Sequence, residues 1–172
     1  NKIIKNLKDK SKNKFCSRGY VSTKKCLKEI LSLGPDIIIV YGSSILKGEI
    51  LKIFKKKILN VHLGLSPYYR GSGTNIFPFI NNEPEFAGVT FMYIDKGIDT
   101  GEIIHQFRSN VYQKDNIHKI GNRMIVDMFF CYSKLILGLE NIKTKKQIRT
   151  GINRYYKKKD FDIDKLNILN NF

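Results

Sequence analysis

The 172-residue sequence is short of three things: cysteine, long apolar runs and acidic residues. Its three cysteines, Cys16, Cys26 and Cys131, are odd in number and follow no metal-ligand spacing. That excludes a disulfide framework and a cysteine zinc site, and leaves reduced thiols of the cytoplasm. No apolar run is long enough to span a bilayer, and no signal peptide is legible. The expected setting is therefore cytoplasmic, with no membrane partner. No cluster of histidines, cysteines and carboxylates has ligand spacing, so no metal is expected. No internal repeat is visible. Residue 1 is Asn rather than Met, so the start reads as cropped or processed. What remains is enough for one domain with a real core: hydrophobic residues make up 42% of the chain.

Fifteen acids stand against 31 lysines and arginines, a net charge of +16. The excess is uneven. Residues 1–30 carry ten basic residues and two acids, residues 142–172 nine and three, and residues 31–141 twelve and ten. The positive ends permit two readings: a nucleic-acid footprint, or solvated basic faces enlarged by Lys/Asn/Ile-rich codon usage. The balance is against nucleic acid, because no interleaving of aromatic and basic residues builds a base-stacking platform.

Residues 1–20 are Lys-rich, with part expected to be helical. Ser22 is placed to cap a helix over 23–33, with Leu27, Ile30 and Leu31 on one face, stopped by Gly34 and Pro35. The β-branched run 36–41 predicts a strand buried on both faces, as in a parallel sheet. A turn at 42–44, a helix over 47–56 (Ile50, Leu51 and Phe54 inward) and a strand over 58–62 complete a βαβ unit. Residues 63–74 read as loop and 75–81 as a short helix. Residues 86–94 and 102–108 are strand-like, joined by D-K-G-I-D-T-G, where Gly97 and Gly101 permit positive φ. The longest helix is expected over 116–139, with a core stripe of Ile117, Ile120, Met124, Ile125 and Met128. The basic tail contains R-Y-Y-K-K-K-D-F and reads as a short strand or hairpin. The expected division is a basic segment 1–34, a catalytic domain 35–140 and a tail 141–172.

The chemistry concentrates at residues 58–106. Asn60 and His62 lie two apart at the end of a strand, so both side chains leave on one face. Asp99 follows 37 residues after His62, in a Gly-rich turn between strands. An amide donor, an imidazole and a carboxylate can then converge at strand carboxyl ends, where open α/β sheets bind ligands. Taken singly, Asn-x-His is more often a satisfied hydrogen-bonding pair than a catalytic one, and Asp99 and Asp95 are turn residues. Arg70 fits either an anion contact, such as a phosphate or carboxylate, or a loop anchor. Ser66 has no base beside it and is not read as a nucleophile. His105 and His118 read as structural or exposed, and Tyr68 and Tyr69 as packing the loop.

The strings I-L-N-V-H-L-G-L-S-P-Y-Y-R-G and G-V-T-F-M-Y-I-D-K-G-I-D-T-G-E-I, in this order and spacing, resemble the formyltransferase family. That family includes glycinamide ribonucleotide, methionyl-tRNA and nucleotide-sugar N-formyltransferases. The resemblance runs from residue 35 to 106, and loosely beyond. It implies an α/β fold of Rossmann-like type, a mostly parallel sheet flanked by helices, with the family's first βα units missing before residue 35. It implies transfer of a formyl group from 10-formyltetrahydrofolate to a primary amine, without a metal. Carried over residue by residue, the catalytic trio falls on Asn60, His62 and Asp99. The donor pocket falls on Gly42, Ser43, Ser44, Ile45 and Leu46, and the folate loop on Gly64, Leu65, Ser66 and Pro67. G-L-S-P stands where many members have S-L-L-P. G-S-G-T-N is closer to the sugar-modifying branch, so the expected partners are the folate donor and a small amine acceptor, an amino-deoxysugar nucleotide. The alternatives are a methionyl-tRNA or glycinamide ribonucleotide formyltransferase, a 10-formyltetrahydrofolate hydrolase, or an inactive basic nucleic-acid-binding remnant. Self-association of the shortened sheet into a homo-oligomer is also left open.

Overall fold

The computed structural model describes residues 11–149, 151–161 and 165. In chain order the elements are α1 (Lys24–Leu33), β1 (Ile38–Tyr41), α2 (Ile50–Ile53), β2 (Ile58–His62), β3 (Tyr69–Gly71), α3 (Phe77–Ile80), β4 (Gly88–Tyr93), β5 (Ile103–Arg108), α4 (Ile117–Leu137) and β6 (Arg154–Tyr156). Strands β1, β2, β4 and β5 form the central sheet in that order, and β3 pairs with β6 in a second, two-stranded sheet.

Alternation along β2 divides the molecule into layers. Leu59 and Val61 face α4 and join Val89, Phe91, Ile104, Ile120, Met124, Met128 and Tyr132 in the main core. Ile58 faces the other way, into a second cluster with Leu27 of α1, Leu46, and Ile50 and Phe54 of the α2 segment. Helices therefore cover both faces of the sheet, the expected α/β arrangement. The α4 stripe is core as its spacing predicts: Met124 and Met128 are fully buried, and each such side chain contributes roughly 1.5–3 kcal/mol relative to exposure. Asn116 caps this helix, its side chain accepting from the Lys119 amide.

Several expectations are corrected. The sheet is not mostly parallel among the described residues: β1–β2 is parallel, but β2–β4 and β4–β5 are antiparallel. The α2 segment is the one helical crossover feeding a parallel neighbour in this sheet, whereas β4 and β5 are joined by a tight turn that can only reverse the chain. Strand β1 is not buried on both faces: Ile38 and Val40 pack inward, but Ile39 and Tyr41 are 47% and 46% exposed. Helix α4 lies over β2, β4 and β5, and Phe129 makes an edge-on contact with Tyr41 of β1. Thr23, not Ser22, caps α1, accepting from the Cys26 amide; the Ser22 hydroxyl accepts from the Lys47 amide instead. Leu31 is exposed. The helix expected in residues 1–20 falls partly outside the described residues, and residues 11–19 are not helical. The 63–74 loop contains β3.

The 95–101 turn is also built differently. Gly97 and Gly101 do not take positive φ; Asp99 does, at 53°, a conformation that Asp tolerates better than most residues. The glycines are required by crowding: a Cβ would lie 2.0 Å from the Thr100 hydroxyl at Gly97, and 1.7 Å from the Tyr93 carbonyl oxygen at Gly101. Asp95 holds the turn as expected, accepting from the Gly97 amide and the Thr100 hydroxyl. Among the described residues no helix is long and apolar enough to cross a membrane.

Candidate active site

Asn60 and His62 leave β2 on the face opposite Leu59 and Val61, and the 95–101 turn brings Asp99 to both. Asp99 Oδ2 lies 3.4 Å from His62 Nδ1, and Asn60 Nδ2 donates to Asp99 Oδ1 at 3.5 Å. The three residues that the sequence singles out therefore converge. They line a cleft of about 640 Å³ together with residues 41–46, 71–75, 92–95, 97–101 and, at its rim, 155–158, where Tyr155, Lys157 and Lys158 are exposed.

The trio is held by backbone groups that sequence reasoning missed. Both come from β3, inside the stretch expected to be loop. The Tyr69 carbonyl lies 2.9 Å from His62 Nε2, and the Gly71 amide donates to Asp99 Oδ2 at 2.9 Å. Thr74 donates its hydroxyl proton to the Leu63 carbonyl, so its oxygen presents a lone pair to Nε2 at 3.3 Å. Nε2 thus carries a hydrogen. Nδ1 faces a carboxylate, so both ring nitrogens meet acceptors, and both can donate only in the imidazolium form. Gln147 completes the frame by donating to the carbonyls of Asp99 and Gly101.

Strand β3 is in turn clamped to β6. Arg154 donates twice to Glu83, and Tyr69 donates its hydroxyl proton to the same carboxylate. The Arg154 hydrogen bonds hold the Glu83 carboxyl below the usual range, and burial pushes the Tyr69 phenol up. Asn81 bridges the hydroxyls of Tyr69 and Tyr156 at 2.8 and 2.7 Å. The signal for this clamp in the sequence was the R-Y-Y string, but nothing local names its partner.

The two expected donor-binding segments are placed differently. Gly42, Ser43, Ser44, Ile45 and Leu46 line the cleft. Gly64, Leu65, Ser66 and Pro67 are buried and do not line it. Their loop, with a cis peptide at Ser66–Pro67, is fixed from below: Thr90 donates to the Gly64 carbonyl at 2.6 Å, accepts from the Ser66 amide at 3.0 Å, and Gln106 donates to the Ser66 carbonyl at 2.7 Å. Gly64 makes room for the imidazole, since a Cβ there would lie 2.6 Å from His62 Nε2. Arg70 is buried and donates to Asn153 at 2.9 Å beneath the Tyr155 ring, which supports the loop-anchoring alternative. His105 and His118 are exposed; Tyr69 is fully buried, and Tyr68 packs on Phe86. Among the described residues, no group of three or more histidines, cysteines and carboxylates could hold a metal ion.

The arrangement offers hydrogen-bond donors and a carboxylate at the floor of an open cleft, suited to a reaction in which an oxygen gains charge and a nitrogen loses a proton. Comparison with known proteins points the same way. The family described as formyl transferase matches residues 4–127. Methionyl-tRNA formyltransferase of Clostridioides difficile is 39% identical over 103 residues, 59% of this chain and 33% of that protein. GDP-perosamine N-formyltransferase of Brucella melitensis is 34% identical over 107 residues, 62% of this chain and 41% of that protein. The matched stretch thus spans well under half the length of these curated relatives. Among solved structures, the formyltransferase PseJ from Anoxybacillus kamchatkensis, in complex with UDP-4,6-dideoxy-4-formamido-L-AltNAc and tetrahydrofolate, superposes with a TM-score of 0.62 at 30% identity. That superposition covers 80% of this chain and 83% of that one.

Proposed function

The chain belongs to the formyl transferase family, and from that membership we propose that it transfers a formyl group from 10-formyltetrahydrofolate to a primary amine. The observation that carries the reading is the convergence of Asn60, His62 and Asp99 on one cleft floor. The donor fits the lining: Ile45, Leu46, Ile94 and Ile98 offer apolar surface for a flat heterocycle beside the polar floor. The donor supplies an activated formyl carbon: the attacking amine forms a C–N bond there and generates an oxyanion, whose collapse breaks the bond to N10 and releases tetrahydrofolate.

Each residue then has a separable task. Asn60 Nδ2 has two hydrogens; one serves Asp99 and the other is available to the oxyanion. His62 uses Nε2–H on the Tyr69 carbonyl and faces Asp99 with Nδ1, so as an imidazolium it would place positive charge close to the reacting group. Asp99 faces that ring and, directly or through water, accepts the proton lost by the amine and returns it to N10 of the departing tetrahydrofolate.

For the acceptor we favour an amino-deoxysugar nucleotide. The G-S-G-T-N string and the sugar-nucleotide product bound by PseJ support it. The methionyl-tRNA reading has its own support, in relatives of equal closeness. The test offers isotope-labelled 10-formyltetrahydrofolate with both acceptors to one preparation and follows label by mass spectrometry. Label on the sugar nucleotide is the expected result. Formyl-methionyl-tRNA as the main product would overturn the sugar reading, and labelled formate with neither acceptor modified would favour a hydrolase.

A further inference from the structure

We propose that residues 155–158 are the binding site for a nucleoside diphosphate group carried by the acceptor, with Lys157 and Lys158 on the diphosphate and Tyr155 under the base. This rests on the formyl-transfer reading above and adds where the acceptor's non-reacting part is held.

The first observation is the distribution of charge in the cleft. Of the described residues that line it, Lys157 and Lys158 are the only permanent cations, and their exposed side chains follow directly on β6. Asp95 and Asp99 supply its carboxylates. The cleft therefore offers both signs of charge, the two lysines to an anion and the two carboxylates to an amine. A ligand with an amine at one end and phosphates at the other is oriented by that field before any specific contact forms.

The second observation is aromatic. Tyr155 lines the cleft, is 42% exposed, and has the Arg70 guanidinium 5.9 Å from its ring centroid. A partly exposed ring, backed by a buried cation and next to two lysines, suits a nucleobase followed by phosphates. An anion alone would not use the ring.

The third observation is rigidity. The segment is fixed on three sides: β6 pairs with β3, Tyr156 stacks on Phe77 with centroids 3.6 Å apart, and the Lys157 amide donates to Asp160 at 2.7 Å. The rim is held against the same strand that positions His62 and Asp99, so binding there fixes the distance to the reacting centre.

Both lysines are exposed, so their replacement is compatible with an unchanged fold, which an unchanged thermal midpoint checks. The experiment is titration calorimetry on the 172-residue chain, its Lys157→Gln/Lys158→Gln double variant and its Tyr155→Leu variant. The probes are uridine diphosphate, inorganic diphosphate and folinic acid. For the double variant we expect the uridine diphosphate Kd to rise by about tenfold or more, the scale of losing two charge-assisted contacts. Tyr155→Leu should weaken uridine diphosphate but leave inorganic diphosphate within about twofold, since only the former has a base to stack. Folinic acid should bind all three proteins alike. The proposal is overturned if the parent chain does not bind uridine diphosphate, or if the double variant binds it equally well. It is also overturned if the loss falls on folinic acid, which would make the rim a site for the donor's carboxylates. Formyl transfer by the parent chain, measured alongside, separates the two claims. Transfer with the tail variants unimpaired in uridine diphosphate binding defeats only the rim site; no transfer to any amine defeats the formyl-transfer reading itself.

Discussion

Replacing Gly71 by alanine isolates the joint on which the site hangs. Gly71 takes φ +94°, and a Cβ there would lie 2.0 Å from the Tyr156 carbonyl oxygen. Two costs follow. The left-handed backbone costs an alanine about 1–2 kcal/mol. The collision is with backbone, not with a side chain that can swing away, so β3 and β6 must separate. Their separation weakens the hydrogen bonds from Ser72 N to Tyr156 O and from Arg154 N to Tyr68 O, 2.9 and 2.7 Å long, at about 1 kcal/mol each. The sum is about 3–4 kcal/mol, a fall in melting temperature of about 6–16 °C for a chain of this size. Gly34→Ala is the control, because Gly34 has φ +57° with nothing within 4 Å of the added Cβ. It should lose only the backbone cost. The assay is thermal denaturation followed by circular dichroism. If Gly71→Ala melts no lower than Gly34→Ala, the β3–β6 joint is not as tight as the geometry requires and the reasoning fails.

Three other perturbations probe separate parts of the account. Thr90→Val removes a buried hydroxyl that serves Gly64, Ser66 and Gln106; leaving those groups unpaired should cost about 2–3 kcal/mol in chemical denaturation, and a neutral result would contradict the support assigned to the 64–67 loop. Arg154→Ala should lower the rate of formyl transfer by about tenfold or more, with folinic acid binding retained, since it frees the strand whose carbonyl fixes His62; restoration by Arg154→Lys to full activity would argue against the two-pronged contact with Glu83. Hydrogen bonds from Arg123 hold the Asp115 carboxyl down at about 2. Because that value lies below its unfolded one, the stabilisation is present above about pH 4 and is lost as pH falls through about 2. The melting-temperature gap between the chain and Asp115→Asn should be open at pH 5 and mostly lost by pH 2, closing below it, and a gap independent of pH would refute the assignment.

The parts of this structure that were legible in the sequence are those governed by local periodicity. The period of two put Asn60 and His62 on one face of β2, and Leu59 and Val61 accordingly lie on the other, in the core. The α4 stripe is a period of 3.6. The D-K-G-I-D-T-G turn placed Asp99 between strands, though the glycines work by leaving space instead of by positive φ. What stayed illegible depends on contacts between distant segments. Strands β3 and β6 have three residues each, too few for any period, and they pair across more than 80 positions. Their partners Glu83, Asn81 and Gln147 are ordinary polar residues whose roles exist only once the chain has closed. Exposure of one face of β1 was missed for the same reason: a β-branched run signals a strand, but how far α4 reaches across the sheet is a tertiary fact.

The most direct test of the central claim is the single-turnover rate of formyl transfer in Asn60→Asp, read beside its affinity for folinic acid. Asn60 has one hydrogen directed at Asp99 and one available to the oxyanion; aspartate replaces that donor with a repelling charge. The account predicts a loss of at least about 100-fold in the chemical step, with folinic acid affinity changed by less than about threefold, since donor binding is assigned to other residues of the cleft. A near-normal single-turnover rate in Asn60→Asp would contradict the assignment of the site.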